Sequence, residues 1–232
     1  MPIAVVTGAS RGLGLALAQE LARQGWQLVL DARNDEALHA GTGGLTGAVA
    51  RAGDVTSSEH RRTLASLAAD LGGADLLVNN ASTLGPSPMP ALADLSLDQL
   101  ANIYQTNVFA PLALTRLLLP QLAGAGTVVN ISSDAAVNAY EGWGGYGSSK
   151  AALDQLTAIL AAENPALKVY SFDPGDMRTQ MHQEAFPGED ISDRPEPATV
   201  VPSLLRLLSS RPPSGRYRAA DLGTTDTLEV SA

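Results

Sequence analysis

The sequence predicts an α/β fold in which a doubly wound, mostly parallel sheet of seven strands carries helices on both faces. Short strand-like runs alternate with helical patterns along the chain, which is typical of parallel sheets with crossover helices. The strand runs are apolar nearly throughout, as expected where both faces of a sheet are covered. A length of 232 residues suits one α/β domain, and 22 glycines indicate many tight turns.

The elements follow from apolar runs and helical periodicity, taken in chain order. The strand-like runs are 3–7, 26–32, 47–52, 75–80, 127–132, 167–172 and 216–220. The helical patterns are 12–24, 34–40, 57–71, 97–122, 145–163 and 198–209. Both sets alternate, so the sequence predicts one continuous series of βαβ units.

Helix starts and loops complete this outline. Capping boxes are predicted for Thr56 with Glu59 and for Ser96 with Gln99, at the starts of two helices. Segment 85–90 is predicted to be an irregular loop. The longer segment 173–197 is rich in proline and acidic residues, and its part from about 176 to 197 is predicted to form a lid over a substrate site.

Composition excludes several classes of function. A formal net charge of −9 argues against nucleic acid or an anionic membrane surface as the main partner. The chain has no cysteine, which excludes disulfides and thiolate chemistry and is compatible with a reducing compartment. The three histidines, His39, His60 and His182, lie too far apart in sequence to suggest a metal site. A first strand at Ile3 leaves no room for a signal peptide, so a cytoplasmic location and a small-molecule substrate are expected.

A glycine-rich segment, TGASRGLG at 7–14, follows the first strand and begins the first helix. Gly8 would let the chain turn, Gly12 would let backbone N–H groups approach a pyrophosphate, and Gly14 would allow helix and strand to pack closely. A plain tight turn is the alternative, but the position after the first strand favours a dinucleotide site. The predicted cofactor-binding residues of this segment are Gly8, Ser10, Arg11, Gly12, Leu13 and Gly14.

The end of the second strand, LDAR at 30–33, bears on the choice of dinucleotide. A carboxylate there would accept hydrogen bonds from an adenosine ribose, whereas an arginine would pair with a 2′-phosphate. Both signals are present, as Asp31 and Arg33, and Arg11 adds a second cation. The two arginines favour NADP(H) over NAD(H). Two alternatives stay open: that the cofactor is NAD(H), and that Arg33 is a loop charge that contacts only solvent.

Further motifs continue in chain order. They are Asp54 with Val55, NNAS at 79–82, Asn107, ISS at 131–133, YGSSK at 146–150 and PGDMRT at 174–179. Together with TGASRGLG, they resemble the ordered motifs of the short-chain dehydrogenase/reductases over essentially the whole chain. The resemblance implies a single NAD(P)-binding Rossmann domain over 1–232. It also implies an oxidoreductase that interconverts a carbonyl and a secondary alcohol by hydride transfer.

The resemblance implies a role for each catalytic residue. Tyr146 would act as the acid and base at the substrate oxygen, and Ser133 would hydrogen-bond the same oxygen. Lys150 would hold the nicotinamide ribose and keep the phenol acidic. Asn107 would bind a water molecule that links Lys150 to solvent.

Further cofactor contacts are implied in the same way. Asp54 and Val55 would contact the adenine, and Asn79, Asn80 and Ala81 would lie beneath the cofactor. Ser82 stands where the family more often has glycine. The residues implied at the nicotinamide side are Pro174, Gly175 and Thr179.

The spacing of Tyr146 and Lys150 has a physical interpretation of its own. Residues four apart on a helix share one face, so the ammonium would lie beside the phenol. Lowering a phenol pKa from about 10 to about 7 takes roughly 4 kcal/mol. One positive charge at about 4 Å, in an effective dielectric near 20, supplies about that much. An exposed helix pair, or a core tyrosine beside a solvated lysine, is the structural alternative.

The substrate end and the quaternary state are less constrained. Segments 83–90, 134–145 and 176–197 are predicted to surround the substrate, with Trp143 as the best candidate for contacting it. The helices at 97–122 and 145–163 are apolar on more than one face. In the family such helices commonly form homodimers or homotetramers, which are therefore expected.

A non-catalytic nucleotide-sensing protein on the same fold is the alternative function.

Overall fold

A computed structural model describes residues 1–122 and 124–223. These residues form a seven-stranded, entirely parallel sheet in the order β3-β2-β1-β4-β5-β6-β7. The strands are β1 (Ile3–Val6), β2 (Gln27–Ala32), β3 (Ala48–Ala52), β4 (Leu76–Asn79), β5 (Thr127–Ile131), β6 (Lys168–Asp173) and β7 (Gly215–Arg218). The predicted α/β fold is thereby confirmed. The last part of the predicted domain, 224–232, lies outside the described residues.

Helices connect successive strands. They are α1 (Gly12–Arg23), α2 (Asp35–Thr42), α3 (Ser58–Leu71), α4 (Leu97–Tyr104), α5 (Ala110–Leu122), α6 (Gly144–Glu163), α7 (Gln180–Ala185) and α8 (Pro197–Ser210). The helix predicted over 97–122 is interrupted by a π-helical turn, Gln105–Phe109, between α4 and α5. Pro111 follows this turn and has no N–H to donate to the carbonyl four residues earlier, which weakens regular α-helix there.

Two apolar cores cover the two faces of the sheet, because neighbouring residues of a buried strand point to opposite faces. Val6 and Leu30 belong to the core that includes residues of α1 and α8. Val5 and Val29 belong to the core that includes residues of α3 and α5. Val5 pairs with Val29 and Val6 with Leu30, so this register keeps each apolar layer continuous across the sheet.

The structure decides between the two predicted capping boxes. The Ser96 box is confirmed, since Gln99 N donates to Ser96 Oγ at 3.2 Å and Ser96 N donates to Gln99 Oε1 at 3.0 Å. The box at Thr56 is wrong. Helix α3 is instead capped one residue later by Ser57, whose Oγ accepts a hydrogen bond from His60 N at 3.3 Å.

Candidate active site

A cleft of about 680 Å³ lies at the carboxyl ends of the central strands, where the strand order reverses between β1 and β4. Ligands of open α/β sheets bind at this position. Most residues predicted for the site line this one cleft. They are Gly8, Ser10, Arg11, Gly12, Leu13, Arg33, Asp54, Val55, Asn80, Ala81, Ser133, Tyr146, Lys150, Pro174, Gly175 and Thr179. Gly14 and Asn107 are buried behind this lining.

The glycine loop between β1 and α1 requires glycine at three positions. Gly8 and Gly12 have φ values of 67° and 58°, in the left-handed region that favours glycine. A Cβ atom on Gly14 would lie 2.4 Å from the carbonyl oxygen of Gly8. Glycine at 14 therefore lets α1 approach the loop closely.

The amino terminus of α1 meets the cleft at Gly12 and Leu13. Arg11 precedes the helix without making a side-chain capping bond, and the first turn contains no acidic residue. The positive end of the helix and its first N–H groups are therefore suited to an anionic group such as a pyrophosphate. The loop fits the dinucleotide that the sequence predicts.

A threonine that sequence reasoning missed joins the glycine loop to β4. Thr7 Oγ1 accepts hydrogen bonds from Asn80 N and Ala81 N, both at 3.0 Å. In return, Asn80 Nδ2 donates to the carbonyl oxygens of Thr7 at 2.9 Å and Gly8 at 3.0 Å. The sequence feature that could have indicated this contact is the position of Thr7, directly after β1 and at the start of the glycine-rich segment.

Asn79 does not lie beneath the cofactor site as predicted. Its side chain is buried on the other side of β4, where Nδ2 donates to Asn130 Oδ1 at 2.8 Å and to Thr115 Oγ1 at 3.2 Å. Asn130 in turn donates to Thr157 at 2.8 Å. Adjacent residues of an extended chain face opposite sides, so Asn79, the last residue of β4, and Asn80, directly after it, have different environments.

Asp31, the acidic residue at the end of β2, makes its side-chain contacts within the protein. Asp31 is 1% exposed, and its Oδ1 accepts a hydrogen bond from Gly8 N at 3.1 Å. Its Oδ2 lies 3.1 Å from His60 Nε2 on α3. Burial raises the pKa of Asp31, and the bonds from His60 and Gly8 only partly offset this effect. Arg33, by contrast, is exposed beyond the strand end and lines the cleft.

Helix α6 brings Tyr146 and Lys150 together. Lys150 Nζ lies 5.5 Å from the centroid of the Tyr146 ring and donates to the carbonyl oxygen of Ile131 at 2.7 Å. The Ser133 hydroxyl lies close enough to the Tyr146 side chain to lower the pKa of the phenol, and Ser133 Oγ donates to Asp134 Oδ1 at 3.1 Å. The phenol, the ammonium and the serine hydroxyl therefore converge in one part of the cleft.

Burial dominates the ionisation of both α6 residues. It raises the pKa of Tyr146 above its usual value; the nearby Ser133 hydroxyl opposes this, while the charges of Asp173 and Asp134 add to it. Burial also lowers the pKa of Lys150 to about 8, and Asp154 opposes that change. This finding differs from the expectation that the ammonium keeps the phenol acidic, since desolvation penalises the phenolate.

Asn107 lies in the π-helical turn and is 1% exposed. Its Oδ1 accepts from Thr83 N at 2.9 Å and from Ser82 Oγ at 3.1 Å. Its Nδ2 donates to the Thr83 carbonyl at 2.9 Å and to Ser149 Oγ at 3.0 Å. The side chain thus holds the loop after β4 against α6, and Ser82, where the family more often has glycine, contributes to this contact.

Aromatic and apolar side chains lie around Tyr146, at the end of the cleft where the sequence predicts the substrate. The ring of Trp143 lies edge-on to Tyr146, with centroids 5.8 Å apart, and 5.9 Å from the ring of Phe186. Met89 and Met181 pack against the small cluster that contains Tyr146. All three segments predicted to surround the substrate therefore contribute apolar surface here.

Residues 1–122 and 124–223 contain neither a metal-binding cluster nor a membrane-spanning helix. No group of three or more His, Cys, Asp or Glu side chains in these ranges could hold a metal ion. None of the helices they contain is both long and apolar enough to cross a membrane.

The chain is similar to known proteins in sequence and in fold. A family model described as short chain dehydrogenase matches residues 2–190. Sepiapterin reductase from Meriones unguiculatus is 38% identical over 202 residues, which cover 79% of this chain and 77% of that protein. Benzil reductase ((S)-benzoin forming) from Bacillus subtilis (strain 168) is 34% identical over 191 residues, covering 78% and 76%. A short chain dehydrogenase from Escherichia coli CFT073, solved in complex with NADPH, matches with a TM-score of 0.84 at 31% identity and covers 94% of this chain and 96% of that chain.

Proposed function

The chain belongs to the short-chain dehydrogenase family and is an oxidoreductase, and we propose that it interconverts a carbonyl compound and a secondary alcohol with NADP(H). Tyr146 exchanges a proton with the substrate oxygen, Ser133 hydrogen-bonds that oxygen, and Lys150 binds the nicotinamide ribose. The observation that carries this proposal is the convergence of these three side chains on the cleft that also contains the uncapped terminus of α1.

The proton chemistry falls to the chain's own residues, while a bound nicotinamide supplies or accepts the hydride. Because burial raises the pKa of Tyr146, the phenol carries its proton near neutral pH and can donate it during reduction. Ser133 lowers that pKa, so it stabilises the charge left on the phenol oxygen. During oxidation the same oxygen accepts the proton of the alcohol.

Lys150 and Asn107 support this step. Within the described residues the ammonium donates one hydrogen bond, to Ile131, so two of its three donor hydrogens can reach ribose hydroxyls. With a pKa of about 8, Lys150 is mostly charged at neutral pH. Pro111 has no N–H for the carbonyl of Asn107, which supports a role for that carbonyl in binding the water linked to Lys150.

Replacing Tyr146 with phenylalanine tests the reaction. We expect turnover to fall by roughly 100-fold to 10,000-fold, the usual contribution of a placed acid–base group, with NADPH binding retained. Oxidation of NADPH is followed by absorbance across a panel of ketones, aldehydes and quinones. Tyr104→Phe is the matched control, since Tyr104 lies outside the cleft lining. Unchanged turnover in Tyr146→Phe would remove the mechanism.

The preference for NADP(H) is proposed on the contacts of two residues. Both Asp31 oxygens already have partners in the protein, whereas Arg33 is exposed at the cleft and available to a 2′-phosphate. The related structure complexed with NADPH supports the same choice. Arg33→Ala should weaken NADPH binding about 10-fold to 100-fold and leave NADH binding unchanged, because a charge-assisted bond contributes about 1.5–3 kcal/mol. Arg51→Ala, at an exposed arginine of β3, is the control.

The apolar substrate end supports a carbonyl compound with a planar or aromatic group. Trp143 and Phe186 provide ring surface beside Tyr146, and relatives are named for the reduction of sepiapterin and benzil. Aryl ketones and diketones should therefore have lower KM values than short aliphatic ketones. Trp143→Leu should raise KM several-fold for the aryl compounds only, because an aromatic pair contributes about 0.5–1.5 kcal/mol. Equal changes for both classes would contradict this preference.

A homodimer or homotetramer formed through the helices over 97–122 and 145–163 is also proposed. Leu117 and Ile159 are 37% and 43% exposed on these helices. Ile159→Asp should lower the mass measured by light scattering, whereas Val137→Asp, at an exposed site outside both helices, should not.

The lid role of 176–197 is proposed because α7 lines the cleft. The cytoplasmic location stays a prediction that cell fractionation can test.

A further inference from the structure

One arginine of the last strand reaches the catalytic region from behind. Arg216 on β7 donates through Nη2 to Asp173 Oδ2 at 2.8 Å and to the carbonyl oxygen of Ser133 at 3.0 Å. Its Nε donates to Asp154 Oδ2 on α6 at 3.1 Å. A single guanidinium therefore joins the end of β6, the turn after β5 and the helix that carries Tyr146.

Asp173 depends on this contact. Its carboxylate is 2% exposed and lines the cleft, and a buried charge is costly unless it is paired. Arg216 supplies the pairing charge at Oδ2, while Oδ1 accepts a hydrogen bond from Gly175 N at 3.0 Å. The arginine thus holds, through Asp173, the turn at Pro174 and Gly175 that borders the cleft.

Ser133 depends on it as well. The Ser133 backbone carbonyl accepts from Arg216 Nη2, while the Ser133 hydroxyl lies beside Tyr146 and lowers the pKa of the phenol. A catalytic hydroxyl displaced by about 1 Å can lower a rate about 100-fold. The backbone contact therefore bears directly on the position of that hydroxyl.

We propose that Arg216 is a positioning residue of the reaction, which holds Ser133 and the Pro174–Gly175 turn in place and compensates the buried charge of Asp173 beside Tyr146. This inference rests on the proposed function. The charged groups around the phenol are Asp134, Asp173 and Lys150, from the turn after β5, from β6 and from α6. Asp173 acts to raise the pKa of Tyr146, so loss of its partner leaves that effect uncompensated.

The test compares Arg216→Gln with Arg218→Gln, a change of the same type at an exposed position of the same strand. NADPH oxidation is measured over a range of concentrations of the best carbonyl compound of the panel. For Arg216→Gln we expect kcat to fall about 10-fold to 100-fold. KM for the carbonyl compound should change by less than about twofold, because Arg216 does not line the cleft and acts through Ser133 and Asp173. Arg216→Lys should restore part of the loss in kcat, and Arg218→Gln should change neither constant.

A double variant separates positioning from simple loss of structure. Asp173→Asn in the Arg216→Gln background removes the uncompensated charge, so kcat should return toward that of the wild type. The double variant also provides a folded reference if Arg216→Gln alone unfolds, which thermal denaturation would show. Unchanged kcat in Arg216→Gln would overturn the inference, as would a kcat that the double variant fails to restore. The proposed function itself fails separately, if Tyr146→Phe keeps its activity.

Discussion

Replacing His60 with leucine should destabilise the protein strongly, because it breaks a buried pair. His60 Nε2 lies 3.1 Å from Asp31 Oδ2, and the two side chains are 8% and 1% exposed. The ring also packs on Gly53, where an added Cβ would come within 2.2 Å of it. Leucine preserves much of the volume but removes the nitrogen that contacts the carboxylate.

The expected magnitude follows from this burial. Removing one partner of a buried pair costs about 3–5 kcal/mol, since the other group is left uncompensated. A second pair provides the control: His39 Nδ1 lies 3.2 Å from Asp35, but these side chains are 57% and 72% exposed. His39→Leu should therefore cost at most about 0.5 kcal/mol. Total stabilities of about 5–15 kcal/mol make the difference easy to measure.

The loss should also depend on pH. Burial raises the pKa of folded Asp31 above the ordinary 3.8, and His60 limits that rise. Without His60 the folded pKa rises further, so the native state binds a proton that the unfolded state has released. Stability of the variant then falls as pH rises from about 3.8 through the folded pKa. The destabilisation should be largest at neutral pH and smallest near pH 4.

Urea unfolding at several pH values measures this dependence. Asp31→Asn removes the titrating charge, so His60→Leu should cost less in that background than in the wild type, by about 1–3 kcal/mol. An equal cost in both backgrounds and at every pH would refute the reasoning. In that case the loss would come from packing against Gly53 alone.

Three further outcomes are expected. Gly14→Ala should cost about 1–3 kcal/mol, because its Cβ would lie 2.4 Å from a backbone carbonyl oxygen, whereas Gly44→Ala, which has open space, should change stability by less than about 0.5 kcal/mol in the same urea titration. Ser57→Ala should cost about 1 kcal/mol through loss of the α3 cap, and Thr56→Ala less than half of that; the reverse order would contradict the observed cap. Lys150 has a pKa of about 8 in the folded protein against 10.5 in the unfolded chain, so the unfolded state binds more protons between these pH values. The free energy of unfolding of the wild type should therefore rise from pH 8 to pH 10.5 relative to that of Lys150→Met. Parallel plots of unfolding free energy against pH would be inconsistent with the buried amine.

Local patterns in the sequence were enough for the order of the elements and for most of the cleft lining. Apolar runs identify strands because a sheet covered on both faces excludes polar side chains. The glycine loop is recognisable because positive φ at Gly8 and Gly12 is a local requirement. The capping box of Ser96 with Gln99 is local for the same reason, as both partners lie within one helical turn. The family resemblance then located the residues around Tyr146.

Contacts between distant segments could not be read in this way. His60 meets Asp31, and Arg216 meets Ser133, only because the order of the strands brings their elements together. Asn79 and Asn80 are of the same residue type, and their different surroundings depend on the opposite directions in which their side chains point at the end of β4.

By itself, the sequence determined the order of strands and helices and the residues at their ends, because dihedral preference, periodicity and capping act over a few residues. Tertiary structure alone decided how far those groups are buried and what they face. The ionisation of Tyr146 shows the difference, since spacing predicted an acidic phenol beside Lys150, while burial raises its pKa. Desolvation depends on all the chain segments packed around a group, and these come together only in the folded protein.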